Sequence, residues 1–155
     1  MPKRIDLEAV PVHRGSAYPA PFDLPCAARA RQRLGEAAGL TDFGVNLMRL
    51  APGSWSSQRH WHTVEDEFVF VVEGEVVLVT DAGEETLRPG DSAGFKAGVK
   101  DGHHLQNRSQ REAVILEVGS RKADDEGEYS DIDMRFTRRS DPGFSHKDGT
   151  PYPQR

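Results

Sequence analysis

The chain has 155 residues, a length that fits one domain and leaves little room for a second catalytic one. Hydrophobic residues make up 36% and charged residues 29%, with a net charge of −5 and a pI near 5.7, so no basic footprint favours nucleic-acid binding. Cys26 is the single cysteine, which excludes an intrachain disulfide. The start MPKRIDLEAV has no uninterrupted apolar h-region, and the longest apolar run, 68–72, is far shorter than the ~20 residues that span a bilayer; a soluble, cytoplasmic protein is expected.

The first forty residues are punctuated by Pro11, Pro19, Pro21 and Pro25. Proline fixes φ and removes a backbone donor, so residues 1–42 are predicted to form an extended arm that wraps the body or a partner subunit. Within it, residues 27–34 (AARARQRL) are helix formers and predict two helical turns, halted by Gly35 and Gly39.

From Phe43 the pattern changes to short apolar runs separated by turn signals: FGVNLMRL, EFVFVV, EVVLVT, ETL, SAGF, HLQN and AVILEV. That rhythm predicts an all-β barrel or sandwich over residues 43–120. Gly83, in the short loop Asp81-Ala82-Gly83-Glu84, predicts a hairpin with a left-handed residue. No helix alternates with these strands, as a parallel sheet would require. Residues 121–155, rich in Asp, Glu, Arg, Pro and Gly, predict an irregular C-terminal extension packed on the barrel or on a neighbour. It contains one candidate strand at 132–137 and scattered aromatics at Tyr129, Phe136, Phe144 and Tyr152.

Four of the six histidines fall in two places, His60 and His62 in QRHWHTVEDE and His103 and His104 in DGHHLQN. On a strand, residues i and i+2 share a face with Cα atoms roughly 6.6 Å apart, so His60 and His62 can converge on one ion while Trp61 faces away. Glu67 opens the apolar run EFVFVV, where an unpaired carboxylate would be costly and a metal would supply the missing charge. Imidazoles with one carboxylate suit Fe, Mn, Ni, Co or Zn.

These residues resemble the cupin superfamily. Its first motif is matched by Gly53, six residues, His60-Trp61-His62, four residues, Glu67, six residues and Gly74; its second by Gly90, Lys96-Ala97-Gly98, His103 and Asn107. Fifteen residues separate Gly74 from Gly90, similar to the spacing of small single-domain bacterial cupins, and the match covers residues 53–107. Two departures stand out: Lys96 occupies the family's proline position, and four residues rather than two separate Gly98 from His103. The family's His-to-Asn spacing favours His103 over His104 as the last ligand, whereas a one-residue slip would put His104 there.

The resemblance implies a double-stranded β-helix, the jelly-roll or cupin barrel, with His60, His62, Glu67 and His103 holding one divalent transition metal. It further implies a metal-dependent enzyme on a small molecule, isomerase- or dioxygenase-like, with a noncatalytic small-molecule or sugar-sensing module as the alternative. By strand parity Val69, Val71, Leu105 and Asn107 would wall the ion, an apolar surface with one amide. For a phosphate-bearing substrate, Arg49, Arg59 and Lys96 are the cationic candidates near the motifs. A homodimer using the segment before Phe43 is expected, with folding of that arm onto its own barrel edge as the competing arrangement.

Overall fold

A computed structural model describes residues 3–137 and 143–153. Thirteen strands follow one another: β1 (Val12–Arg14), β2 (Ala30–Arg33), β3 (Phe43–Leu50), β4 (His60–His62), β5 (Glu67–Glu73), β6 (Val76–Thr80) and β7 (Gly83–Leu87), then β8 (Ser92–Phe95), β9 (His104–Gln106), β10 (Ala113–Ser120), β11 (Glu126–Tyr129), β12 (Arg135–Thr137) and β13 (Gly143–Ser145). Among the described residues one α-helical turn, α1 (Leu34–Ala37), and a 3-10 turn at Leu24–Cys26 interrupt them, and a further 3-10 turn at Leu7–Ala9 precedes β1. Every strand pairing is antiparallel, as the turn-rich sequence predicts.

The strands form a six-stranded sheet in the order β1-β2-β3-β10-β5-β8, a three-stranded sheet β7-β6-β9 and a four-stranded sheet β13-β12-β11-β4. Alternation along β3, β5 and β10 sends Met48, Leu50, Val69, Val71 and Ile115 inward, where they meet Val76, Leu78, Leu87 and Leu105 of the smaller sheet. This is the barrel core. Met48, Val71 and Ile115 are fully buried and lie in one cross-strand row, so truncating any of them would cost about 2–5 kcal/mol. The β6–β7 hairpin turns at Gly83, whose φ of 125° lies in the region open to glycine.

The arm departs from the helical expectation. Residues 30–33 are strand β2, and only the four-residue α1 follows. Two turns of isolated helix are marginal, whereas the unpaired edge of β3 offers backbone partners to any extended segment. β1 then pairs on β2, so the arm closes the edge of its own sheet. The segment after 120 is more regular than its composition suggests: β11 pairs with β4, and β12 and β13 extend that sheet. Arm and tail together build a second apolar cluster, in which Tyr18 and Cys26 pack with Tyr129 and Met134. Among the described residues no helix is long and apolar enough to cross a membrane.

Candidate metal centre

Strand β4 carries His60 and His62 on one face, as their spacing requires, and pairs through its backbone with β11 on one side and with His103 on the other. His60 exchanges both backbone hydrogen bonds with His103, at 3.2 and 2.9 Å, which sets those two imidazoles side by side. Glu67, the first residue of β5, stands opposite Gly119 and Phe95 and points into the same space. Its Oε2 lies 2.8 Å from His103 Nε2, 3.2 Å from His62 Nε2 and 3.8 Å from His60 Nε2. Three imidazoles therefore surround one carboxylate oxygen. The donor atoms of His60, His62 and Glu67 all lie within 4.8 Å of one another.

The outer nitrogens are directed by second partners. His60 Nδ1 donates to Gln58 O at 2.8 Å and His62 Nδ1 to Asp125 Oδ2 at 2.6 Å, which leaves both Nε2 atoms facing Glu67. Asp125 is fully buried, and its other oxygen accepts from the backbone of Val64 and Glu65. Glu65, also buried, accepts from Lys122 N at 2.8 Å. His62, Glu65 and Asp125 form a second close set of donors, all buried, within which Asp125 is hydrogen-bonded to the His62 ring. Phe95 stacks on His103 with centroids 3.5 Å apart, and Phe136 packs edge-on against His62.

Burial pushes His60 down to about 3, so it is neutral. Burial also works against the His62 cation, but its contacts with Asp125 and Glu67 prevail and push it up to about 9. Burial would raise Glu67, yet the hydrogen bond from His103 and the adjoining His62 and His60 rings hold it well below the usual carboxylate range. The result is an ionised carboxylate facing imidazole nitrogens. Of these, His62 Nε2 is buried with no aligned hydrogen-bond partner. Two such nitrogens and a carboxylate oxygen, from His60, His62 and Glu67, are a donor set that suits a divalent transition ion; His103 touches Glu67 but is not one of that close set.

Of the two adjacent histidines, His103 reaches Glu67, whereas His104 turns its Nδ1 to Ser57 O at 2.9 Å and packs against Trp55. Asn107 departs from the expected wall. Its amide donates to Leu50 O and Arg111 O while its oxygen accepts from Ser109, so it ties a loop together and is spent there. Arg49, Arg59 and Lys96 are likewise committed elsewhere, to Glu112, to Asp131 and Asp81, and to Asp66. The sequence reading missed Asp125, which lies in an acidic run and carries no local signal that sets it apart from Asp124.

Two cavities meet at this centre. The larger, of about 700 Å³, is walled by His60, His62, Glu67 and His103 together with Tyr129 and Phe136. A smaller one of about 330 Å³ approaches from the side of Trp61 and Val99 and shares His62, Glu67, Phe95 and His103.

Residues 46–119 match a family model described as a cupin domain. The structure is similar to that of a sugar phosphate isomerase of the cupin superfamily from Silicibacter pomeroyi, with 43% identity over 97% of each chain and a TM-score of 0.93. It is also similar to a protein from Acidithiobacillus ferrooxidans proposed to be a sugar phosphate isomerase, at 27% identity over 83% of each chain and a TM-score of 0.74. The polyketide cyclase RemF from Streptomyces resistomycificus shares the fold, with 20% identity over 77% of this chain and 80% of that one and a TM-score of 0.61. No curated protein matches the sequence.

Proposed function

This chain belongs to the cupin superfamily, and from that premise we propose that it is a metal-dependent enzyme acting on a small molecule, with isomerisation of a sugar phosphate favoured over dioxygenation. The observation that carries this reading is the convergence of three imidazole Nε2 atoms on Glu67 Oε2 at the wall of an open cavity. His60, His62, Glu67 and His103 would hold one divalent transition metal. An ion held there would supply Lewis-acid or redox chemistry to a bound small molecule. The isomerase preference rests on the likeness to the Silicibacter protein.

The chain's own residues supply orientation and exclusion of water. Asp125 and the Gln58 carbonyl hold protons at the Nδ1 atoms of His62 and His60, and Phe95 fixes the plane of His103. Tyr129, Phe136 and Val69 supply apolar surface around the reacting space. Elemental analysis of protein purified without added metal, followed by assays on sugar phosphates and of oxygen uptake on small acids and phenols, tests the proposal. Stoichiometric metal with sugar phosphate turnover supports it; bound metal with no turnover of any class would favour the noncatalytic sensing module.

The proposal includes a homodimer. Because the arm already pairs on its own sheet, the surface assigned to a second copy is the outer face of β5, where Phe68, Phe70 and Val72 are 42%, 37% and 46% exposed. They alternate with the inward Val69 and Val71 and adjoin Leu116 and Val118 of β10.

A further inference from the structure

The larger cavity is more cationic than the chain as a whole. Its described walls carry five guanidinium groups, from Arg14, Arg29, Arg31, Arg33 and Arg121, against two carboxylates, Glu67 and Glu117, in a protein whose net charge is −5. Three of the five are already engaged: Arg29 donates to Gly15 O and Ser56 O, Arg31 pairs with Glu117 at 2.7 Å, and Arg33 pairs with Glu36 at 3.3 Å. Among the described residues the Arg121 guanidinium has only a 3.4 Å contact with the carbonyl of neighbouring Ser120.

Arg121 also has a place made for it. Gly44 and Gly119 face each other on β3 and β10, in the cross-strand row that contains Glu67. A Cβ on Gly44 would fall 2.0 Å from Arg121 Nη2, so the guanidinium lies in the trough left by the missing side chain. A Cβ on Gly119 would sit 3.7 Å from Arg121 Nη1 and 3.8 Å from Glu67 Cγ, so the guanidinium and Glu67 flank the same glycine in the wall of the larger cavity. Neither glycine has a positive φ, so backbone conformation does not account for them. Elsewhere in the same cavity wall, Ser16 Oγ is buried without a hydrogen-bond partner among the described residues.

We propose that Arg121, seated in the Gly44–Gly119 trough, is a substrate-binding residue that takes a phosphate-like oxyanion of the small molecule held at the metal centre. A tetrahedral dianion suits a cavity whose remaining arginines keep the local potential positive, and a planar guanidinium can meet two of its oxygens at once. The assignment rests on the reading that a small-molecule substrate enters this cavity, and it replaces Arg49, Arg59 and Lys96 as the cationic candidates.

The test is calorimetric titration of the full chain with inorganic phosphate, as purified and again after dialysis against a chelator, with metal content measured on the same samples. Saturable binding is expected in both samples, weakened about tenfold or more in Arg121→Met, since a charge-assisted contact is lost. Gly44→Ala keeps every charge but fills the trough, so it is expected to weaken phosphate binding as well while leaving the unfolding temperature near that of the parent protein. Arg49→Met, which removes an outward arginine paired with Glu112, is expected to bind phosphate normally. Absence of saturable binding, parental affinity in either Arg121→Met or Gly44→Ala, or an equal loss in Arg49→Met would overturn the assignment. Metal in the protein as purified without phosphate binding would remove this inference and leave the metal enzyme standing; phosphate binding by protein that contains no metal as purified would do the reverse.

Discussion

His62 and Asp125, 63 residues apart in the chain, are joined by a 2.6 Å hydrogen bond from imidazole Nδ1 to a fully buried carboxylate. β11 lies antiparallel to β4, with His62 opposite Gly127, and that pairing brings Asp125 beneath the imidazole. Because the other Asp125 oxygen accepts from Val64 N and Glu65 N, replacement by asparagine has a defined outcome. The amide oxygen stays with those two donors, its NH2 faces His62 Nδ1, and the ring proton moves to Nε2. Asp125→Asn is therefore expected to lower metal affinity about 10–100-fold, measured by competition with a chromogenic chelator. Unchanged affinity would mean that His62 does not ligate through Nε2.

Removal of a ligand outright should be more severe. His62→Ala is expected to abolish stoichiometric metal binding, because three remaining donors hold an ion far more weakly than four. Glu67→Gln keeps an oxygen but loses the charge, so it should weaken binding less than the histidine variant while changing activity. Elemental analysis beside a turnover assay decides both points. A full equivalent of tight metal in His62→Ala, or equal metal content and activity in Glu67→Gln, would remove the respective residue from the coordination sphere.

The same site predicts a pH dependence with a definite sign. A metal competes with the proton on Nε2 of His62, whose pKa is pushed up to about 9 by Asp125 and Glu67 despite burial. Below that pH binding must expel the proton, so apparent affinity should rise with pH from 6 towards about 9 and then level off. Proton release on metal addition in a weakly buffered solution provides an independent readout. Affinity that is flat over this window would show that no ligand carries a proton there.

The outer face of β5 predicts a mass. Light scattering of the full chain at micromolar concentration should give a dimer, and Phe70→Asp should give a monomer with its barrel core intact, since Phe70 is 37% exposed and its neighbours Val69 and Val71 carry the packing. A monomeric parent protein would rule the dimer out. A dimeric Phe70→Asp would move the interface to another surface.

What the sequence determined is what the strand period encodes locally. Alternation in FGVNLMRL, EFVFVV and AVILEV marks β3, β5 and β10 because a half-buried strand must present every second side chain to the core. The same period puts His60 and His62 on one face, and the run after Glu67 identifies a carboxylate entering an apolar strand. Tertiary structure decided whatever depended on partners distant in the chain. Residues 30–33 became a strand because β3 offered an open edge, which outweighs the helix propensity of so short a segment. That His103 and not His104 faces Glu67 follows from its backbone pairing with His60, Asn107 was taken up by the carbonyls of Leu50 and Arg111, and Asp125 reached His62 through the pairing of β11 with β4. Register between distant strands is fixed by the packing of the whole sheet, and an acidic or basic residue in a polar run carries no local mark of which register will bury it.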